Sequence, residues 1–361
     1  QKEIADVILY QCSQLMDTNL FFVGFLLMLL GGIFQGLFSF PLKYTSRWTW
    51  ENTWGAGSLM ALLLLPWPLA FLTVPELREV YRSVPVSSIV LALLFGAGWG
   101  TGGIFFGKGI AAVGFSIGLA LIMGIVAIGG SVIPLAMNQP EAFLELPGLV
   151  MIAGVAVMVA GLMVSARAGI LKERDQRTGQ EGGSSSLIKT SFRKGLIFCV
   201  LAGLLSSLVN FGFIYGSSLS EASIARGADS VHSQNALLAL VFTSNFLVNI
   251  GFCLYLLTKN KTFSRFGLKG TFNYWIMAII MGLIWSGGIV IYGMGTTMIG
   301  DLGAYLGFPV LMIVSIITGN VFGVLTGEWK GVSPKPKRLT ILGIIILVAA
   351  IVVLGLSMNL A

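Results

Sequence analysis

Charge is what this sequence has least of. Only 37 of its 361 residues are Asp, Glu, Lys or Arg, which is 10%, against about 25% in an ordinary soluble domain. The single histidine and three widely spaced cysteines (Cys12, Cys199 and Cys253) give neither a disulfide framework nor a metal quartet. A formal net charge of +7 could suit nucleic acid, but the basic residues are scattered between apolar runs instead of forming one patch, which excludes that reading. What remains is apolar. Hydrophobic residues make up 56% of the chain, 47 positions are Gly, and mean hydropathy is +0.90. One soluble core stops growing at roughly 250–300 residues, so this much apolar sequence needs lipid as its solvent. Position 1 is Gln, which reads as a processed or trimmed start.

A membrane helix needs about 20 residues with few or no charges. Ten windows contain no Asp, Glu, Lys, Arg or His: 20–40, 54–73, 88–107, 109–136, 146–166, 195–217, 234–257, 272–297, 303–326 and 339–358. Lys108 alone separates the third from the fourth, so the turn is expected there. Eighteen of the 22 Lys and Arg fall in alternate connections; only Lys2, Arg78, Arg82 and Arg226 fall in the others. By the positive-inside rule the richer set is cytoplasmic and both termini lie outside. Residues 1–19 carry Ile4, Ile8 and Leu15 near helical spacing, with Asp17 or Thr18 able to cap the next helix. They read as an external amphipathic segment or a disordered tail. Residues 20–167 then form a first unit of five spans and 195–361 a second. Between them, 168–194 read as a flexible cytoplasmic linker containing Gly182, Gly183 and Ser184–Ser186.

The two units resemble each other. Gly96, Trp99, Gly102, Gly107, Gly109 and Gly114 recur 186 residues later as Gly282, Trp285, Gly288, Gly293, Gly295 and Gly300. At another offset, Gly32, Leu37, Phe40 and Tyr44 fall on Gly203, Leu208, Phe211 and Tyr215. Five spans per unit make the second enter the membrane from the opposite side. The expected fold is therefore an all-α integral membrane protein of ten transmembrane helices in two inverted five-helix repeats, an architecture that favours alternating access to a midplane site. Most of the glycines serve close helix packing.

Phe38–Lys43, the run Arg47-Trp48-Thr49-Trp50-Glu51 with Trp54, and Leu65-Pro66-Trp67 form a specific block. Leu94–Gly100, Arg167-Ala168-Gly169, Leu171-Lys172-Glu173-Arg174 and Gly327-Glu328-Trp329 continue it. This pattern resembles the bacterial L-rhamnose–proton symporter family, within the drug/metabolite transporter superfamily, over nearly all of residues 20–358. The resemblance implies uptake of a deoxyhexose or related monosaccharide with a proton across the bacterial inner membrane. The extension at 1–19 departs from the family pattern, whose first helix begins near the N-terminus.

A sugar site needs amides or hydroxyls for the sugar's hydroxyls and aromatic rings for its C–H face. Gln35, Ser39 and Lys43 lie at spacing four, which puts them on one face of a helix. Ser206, Asn210 and Tyr215 form the equivalent strip of the second unit. Gln35 and Asn210 read as substrate contacts or as interhelical hydrogen-bonding groups. Trp99 and Trp285, both near mid-span, read as stacking platforms or core. Tyr292 and Tyr305 flank the outer end of the eighth and ninth spans, as closing groups or as an aromatic belt. Asn245 and Asn249 share a face and could line the cavity; Asn320 is also intramembrane. Since no window holds an acidic residue, a coupling proton must ride on a group at an edge. Lys43 and Asp301 lead that set, ahead of Glu51, Glu328 and His232. Lys43 reads also as a snorkelling cytoplasmic anchor, and His232 as a solvated loop residue.

The expected function is a secondary active transporter importing a monosaccharide, whose partners are the sugar, the proton and the lipid bilayer. No cofactor, metal, catalytic residue or nucleic acid is called for. An exporter of amino acids or amphipathic drugs is the alternative within transport. A membrane enzyme acting on lipid-linked substrates would need clustered acids or histidines in an external loop, where only scattered acids and one His occur.

Overall fold

Lipid offers the backbone no hydrogen-bond partner, so each spanning segment has to satisfy its own N–H and C=O groups. The computed structural model describes residues 2–138, 140–178 and 192–360; ten helical spans are long and apolar enough to cross a membrane, and no strand occurs among the described residues. Helix α1 runs without a break from Lys2 to Leu37. No helix boundary therefore falls at Asp17 or Thr18: residues 2–18 extend the same helix ahead of the apolar span, which begins at Asn19. The fold next turns through a 3₁₀ segment, Phe40–Tyr44, with Pro41 in its first turn. The second span is α2 (Trp50–Leu59) and α3 (Pro66–Thr73), joined by a π turn at Met60–Leu64. Pro66 lacks an N–H, and the ladder shifts just before it.

A short helix, α4 (Leu77–Ser83), leads to the third span, α5 (Val86–Val113). Lys108 lies inside α5, and the expected turn there is corrected to Gly114, where φ is +94°. A lysine can reach along a helix towards the membrane edge, whereas the reversal needs a left-handed residue that only glycine adopts without strain. The fourth span is α6 (Phe115–Ala127), a π turn at Ile128–Val132, and α7 (Ile133–Asn138) with Pro134. The fifth, α8 (Leu146–Thr178), carries the helix through Lys172-Glu173-Arg174-Asp175. The linker is thus helical up to Thr178, and its Gly182–Ser186 stretch lies outside the described residues.

The second half comprises α9 (Phe192–Tyr215), the short α10 (Ser217–Ala225), α11 (Asn235–Lys259), α12 (Phe272–Ile299), α13 (Asp301–Leu325) and α14 (Pro334–Asn359). Helices α5 and α12 are each 28 residues long, start 186 residues apart and end at glycines of positive φ, Gly114 and Gly300 (+88°). Helix α1 packs on α12 and α13, while α9 packs on α5 and α6. The register repeats as well. A Cβ on Gly288 would sit 2.8 Å from Phe34 Cβ and 2.9 Å from Gln35 Nε2; a Cβ on Gly102 would sit 2.7 Å from Ser206 Oγ and 2.8 Å from its N. Only glycine permits these two crossings. The matching lengths, partners and register are consistent with an inverted repeat.

Burial is reversed relative to a soluble protein. Leu72 is 83% exposed and Phe272 75%, on faces suited to lipid, while Asn52, Ser131, Asn210 and Ser286 are wholly buried. Helices α8 and α14 pack against each other, with Ser357 Oγ donating to the Pro147 carbonyl at 2.6 Å. The other spans surround a central cavity.

Candidate functional site

Close helix crossings decide which polar groups reach that cavity. Because Gly31 and Gly288 let α1 approach α12 closely, Gln35 Nε2 can donate to the Trp285 carbonyl at 2.6 Å. On the facing side, α5 and α12 bring their repeat-related tryptophans together: Trp99 and Trp285 stack at 5.4 Å between centroids and 28° between planes. Phe242 of α11 lies 5.9 Å from Trp99 and 5.5 Å from Trp285. The stack therefore uses one face of each tryptophan on the other.

The cavity has a volume of about 240 Å³. Gln35, Trp54, Trp99, Trp285, Asn245 and Asn249 are its principal amide and indole groups, and Ser58, Ser206 and Ser315 add hydroxyls. No Asp, Glu, Lys, Arg or His lines it. Asn245 and Asn249 stand one turn apart on α11, with Asn249 Nδ2 donating to Asn245 Oδ1 at 2.5 Å. Trp54 Nε1 of α2 donates to Asn249 Oδ1 at 2.8 Å. The rest of the lining is apolar, including Phe38, Leu62, Phe106, Ile122, Met281 and Phe308. A mainly apolar wall with a few amides, hydroxyls and indoles and no charge suits a neutral solute that offers both hydroxyls and a C–H face, because an ion would lose its hydration there without a counter-charge.

Charges gather at two edges. Where α1 ends, Lys43 Nζ meets Glu328 Oε1 at 2.5 Å and Thr326 Oγ1 at 3.1 Å. Lys172 of α8 approaches Glu328 Oε2 at 3.4 Å and lies over the Trp329 ring at 4.6 Å. The Lys43 hydrogen bond holds the Glu328 carboxyl below its ordinary range, against the opposing effect of burial, and Lys172 adds to the lowering. At the opposite edge Arg226 pairs with Glu76 at 2.9 Å. Each of these ion pairs joins a residue of the first half to one of the second. Glu51, 4% exposed in the first turn of α2, accepts from Asn260 at 3.0 Å and Thr262 at 2.8 Å. The expectation that no acid enters a span is corrected at this edge: the helix extends beyond its charge-free window, and hydrogen bonds sustain the carboxylate.

The family model for the L-rhamnose-proton symport protein (RhaT) matches residues 16–360. The chain belongs to this family. It is similar to the L-rhamnose-proton symporter of Cronobacter sakazakii, at 28% identity over 94% of the chain and 99% of the relative. The corresponding proteins of Yersinia pestis and Yersinia pseudotuberculosis are 27% identical over the same shares.

In this L-rhamnose-proton symport family member, Gln35, Trp99, Trp285 and Asn245 stand in the cavity wall, as does Asn249. The other expected contacts do not. Gln35, Ser39 and Lys43 are not one helical face, because α1 stops at Leu37 and the 3₁₀ turn re-aims the residues beyond it. Ser39 is exposed. Asn210 is wholly buried and donates to the Gly130 carbonyl in the π turn of the fourth span. Tyr215 stacks on Phe211. Tyr292 sits behind the cavity-lining Phe308, edge-on at 6.3 Å, and Tyr305 is buried without lining the cavity. Asp301 opens α13, and its side chain lies outside the described set. Trp54, which the sequence offers only as part of a motif, is a cavity residue that spacing missed, as are Ser58 and Ser315. The role of Trp54 depends on meeting α11, nearly 200 positions away in sequence.

Proposed function

We propose that the chain imports L-rhamnose or a related deoxyhexose with a proton, by alternating access between two inverted five-helix halves of the drug/metabolite transporter type. This is transport and not enzymatic turnover. Family membership supports it, and the observation that carries it is the uncharged, amide-bearing cavity lined by eight of the ten spans. We place the end bearing Lys43 and Glu328 in the cytoplasm, by the distribution of basic residues, in the inner membrane. Since no titratable acid or base lines the cavity, coupling belongs to an edge. Lys43 with Glu328 is the pair we assign to it, with Asp301 as the competing group. While Lys43 holds it, Glu328 resists protonation. Separation of the pair removes that resistance, which links its protonation to opening.

Uptake of radiolabelled L-rhamnose into proteoliposomes tests both parts. The expected result is saturable uptake that rises with an inward proton gradient and falls on adding a protonophore. Absence of saturable uptake would overturn the sugar reading. Uptake indifferent to the gradient would overturn coupling alone.

A further inference from the structure

The geometry points to Asn245 as a fixed hydrogen-bond donor to the sugar, its amide locked by a one-way relay from Trp54 through Asn249. This deepens the sugar-transport reading and rests on it. An indole N–H can only donate. Trp54 Nε1, at 2.8 Å, therefore obliges Asn249 to turn its oxygen towards α2. That leaves the Asn249 Nδ2 group facing Asn245, where it donates to Oδ1 at 2.5 Å and also to the Asn245 carbonyl at 3.1 Å. With its oxygen engaged, Asn245 has Nδ2 left for the cavity it lines. No protein acceptor for that group occurs among the described residues.

Gln35 is fixed with the opposite sense. The Trp285 carbonyl can only accept, so it captures Gln35 Nε2 and leaves Oε1 as the acceptor. The cavity thus presents one oriented donor and one oriented acceptor on different helices. A hydroxyl, or two neighbouring hydroxyls, can satisfy both. Trp54 and Asn249 are positioning residues in this scheme: they set the polarity at Asn245, and their loss frees its amide to turn.

The test measures KM and the maximal rate of L-rhamnose uptake by the full chain in proteoliposomes, with melting in detergent as a folding control. Trp54→Phe keeps the ring and removes the N–H. It is expected to raise KM roughly 3- to 10-fold, the equivalent of one hydrogen bond, with the maximal rate within about twofold. Asn245→Leu should raise KM at least as far, and adding Trp54→Phe to it should change KM no further, since the relay then has nothing to orient. Asn249→Leu removes the middle of the relay, so it should also raise KM, and adding Trp54→Phe to it should change KM no further. If the Trp54 and Asn245 effects simply multiply, or if Asn249→Leu leaves KM unchanged, the relay is overturned while sugar transport stands. If the wild-type chain takes up no L-rhamnose, the sugar reading falls, and the donor role with it.

Discussion

The two halves share the register of one helix crossing but not a chemistry. Crossings of α1 with α12 and of α9 with α5 use the same register, so that Gln35 against Gly288 corresponds to Ser206 against Gly102. At the next polar position the halves part: Ser39 is exposed, whereas its counterpart Asn210 is buried against the π turn of the fourth span. Packing positions tolerate only the smallest residue and so coincide in both halves. Polar positions answer to whatever lies opposite, and the π turn at Ile128–Val132 has no counterpart in the unbroken α13, so they find different partners.

The largest effect that would break this comparison is steric. Gly102→Leu and Gly288→Leu each drive a side chain into a neighbouring helix, and each should cost about 1–3 kcal/mol or more, read as a lower melting temperature in detergent. Similar losses are expected; a large loss at one site alone would mean that the crossings are not equivalent. Next comes the Asn210–Ser39 contrast. Asn210→Ala leaves the buried Gly130 carbonyl without that donor and should cost about 1–3 kcal/mol, while Ser39→Ala should stay within about 0.5 kcal/mol.

The third contrast is functional. Gln35→Leu should raise KM for L-rhamnose up to roughly tenfold, and Ser206→Ala less than about threefold, because Gln35 presents an oriented acceptor. The smallest effect is at the edge. Glu328 is 44% exposed, and the worth of such a pair is about 0.2–1 kcal/mol. Its carboxyl is held low, so the contribution is present above the ordinary Glu value of about 4.3 and lost as pH falls through the lower folded value. Glu328→Gln should therefore melt slightly earlier than the wild type at pH 7, and the gap should close as pH drops below roughly 4.

Much of this was legible in particular residues. The charge-free windows counted ten spans, and the Trp99–Trp285 offset of 186 is also the offset between the starts of α5 and α12. Gln35 and Asn245 were recognisable as amides at membrane depth, where a polar group has to face protein or water. Ser39 and Asn210 were equally polar and were misplaced, because spacing four defines a face only while the helix continues and because an amide can serve a bulged backbone as readily as a ligand. Lys108 marked a turn that in fact needs Gly114. Trp54 gave no signal beyond its motif.

The sequence by itself determined the solvent, the helical class and the number of spans, since these are dictated by apolar length and by the backbone's need to pair within its own segment. Only the tertiary structure decided which side chains meet the cavity and in which sense their amides point. Each residue turns a helix by about 100°. The face presented inward therefore depends on where neighbouring helices cross and where a 3₁₀ or π turn shifts the count, and those are set by contacts between distant parts of the chain.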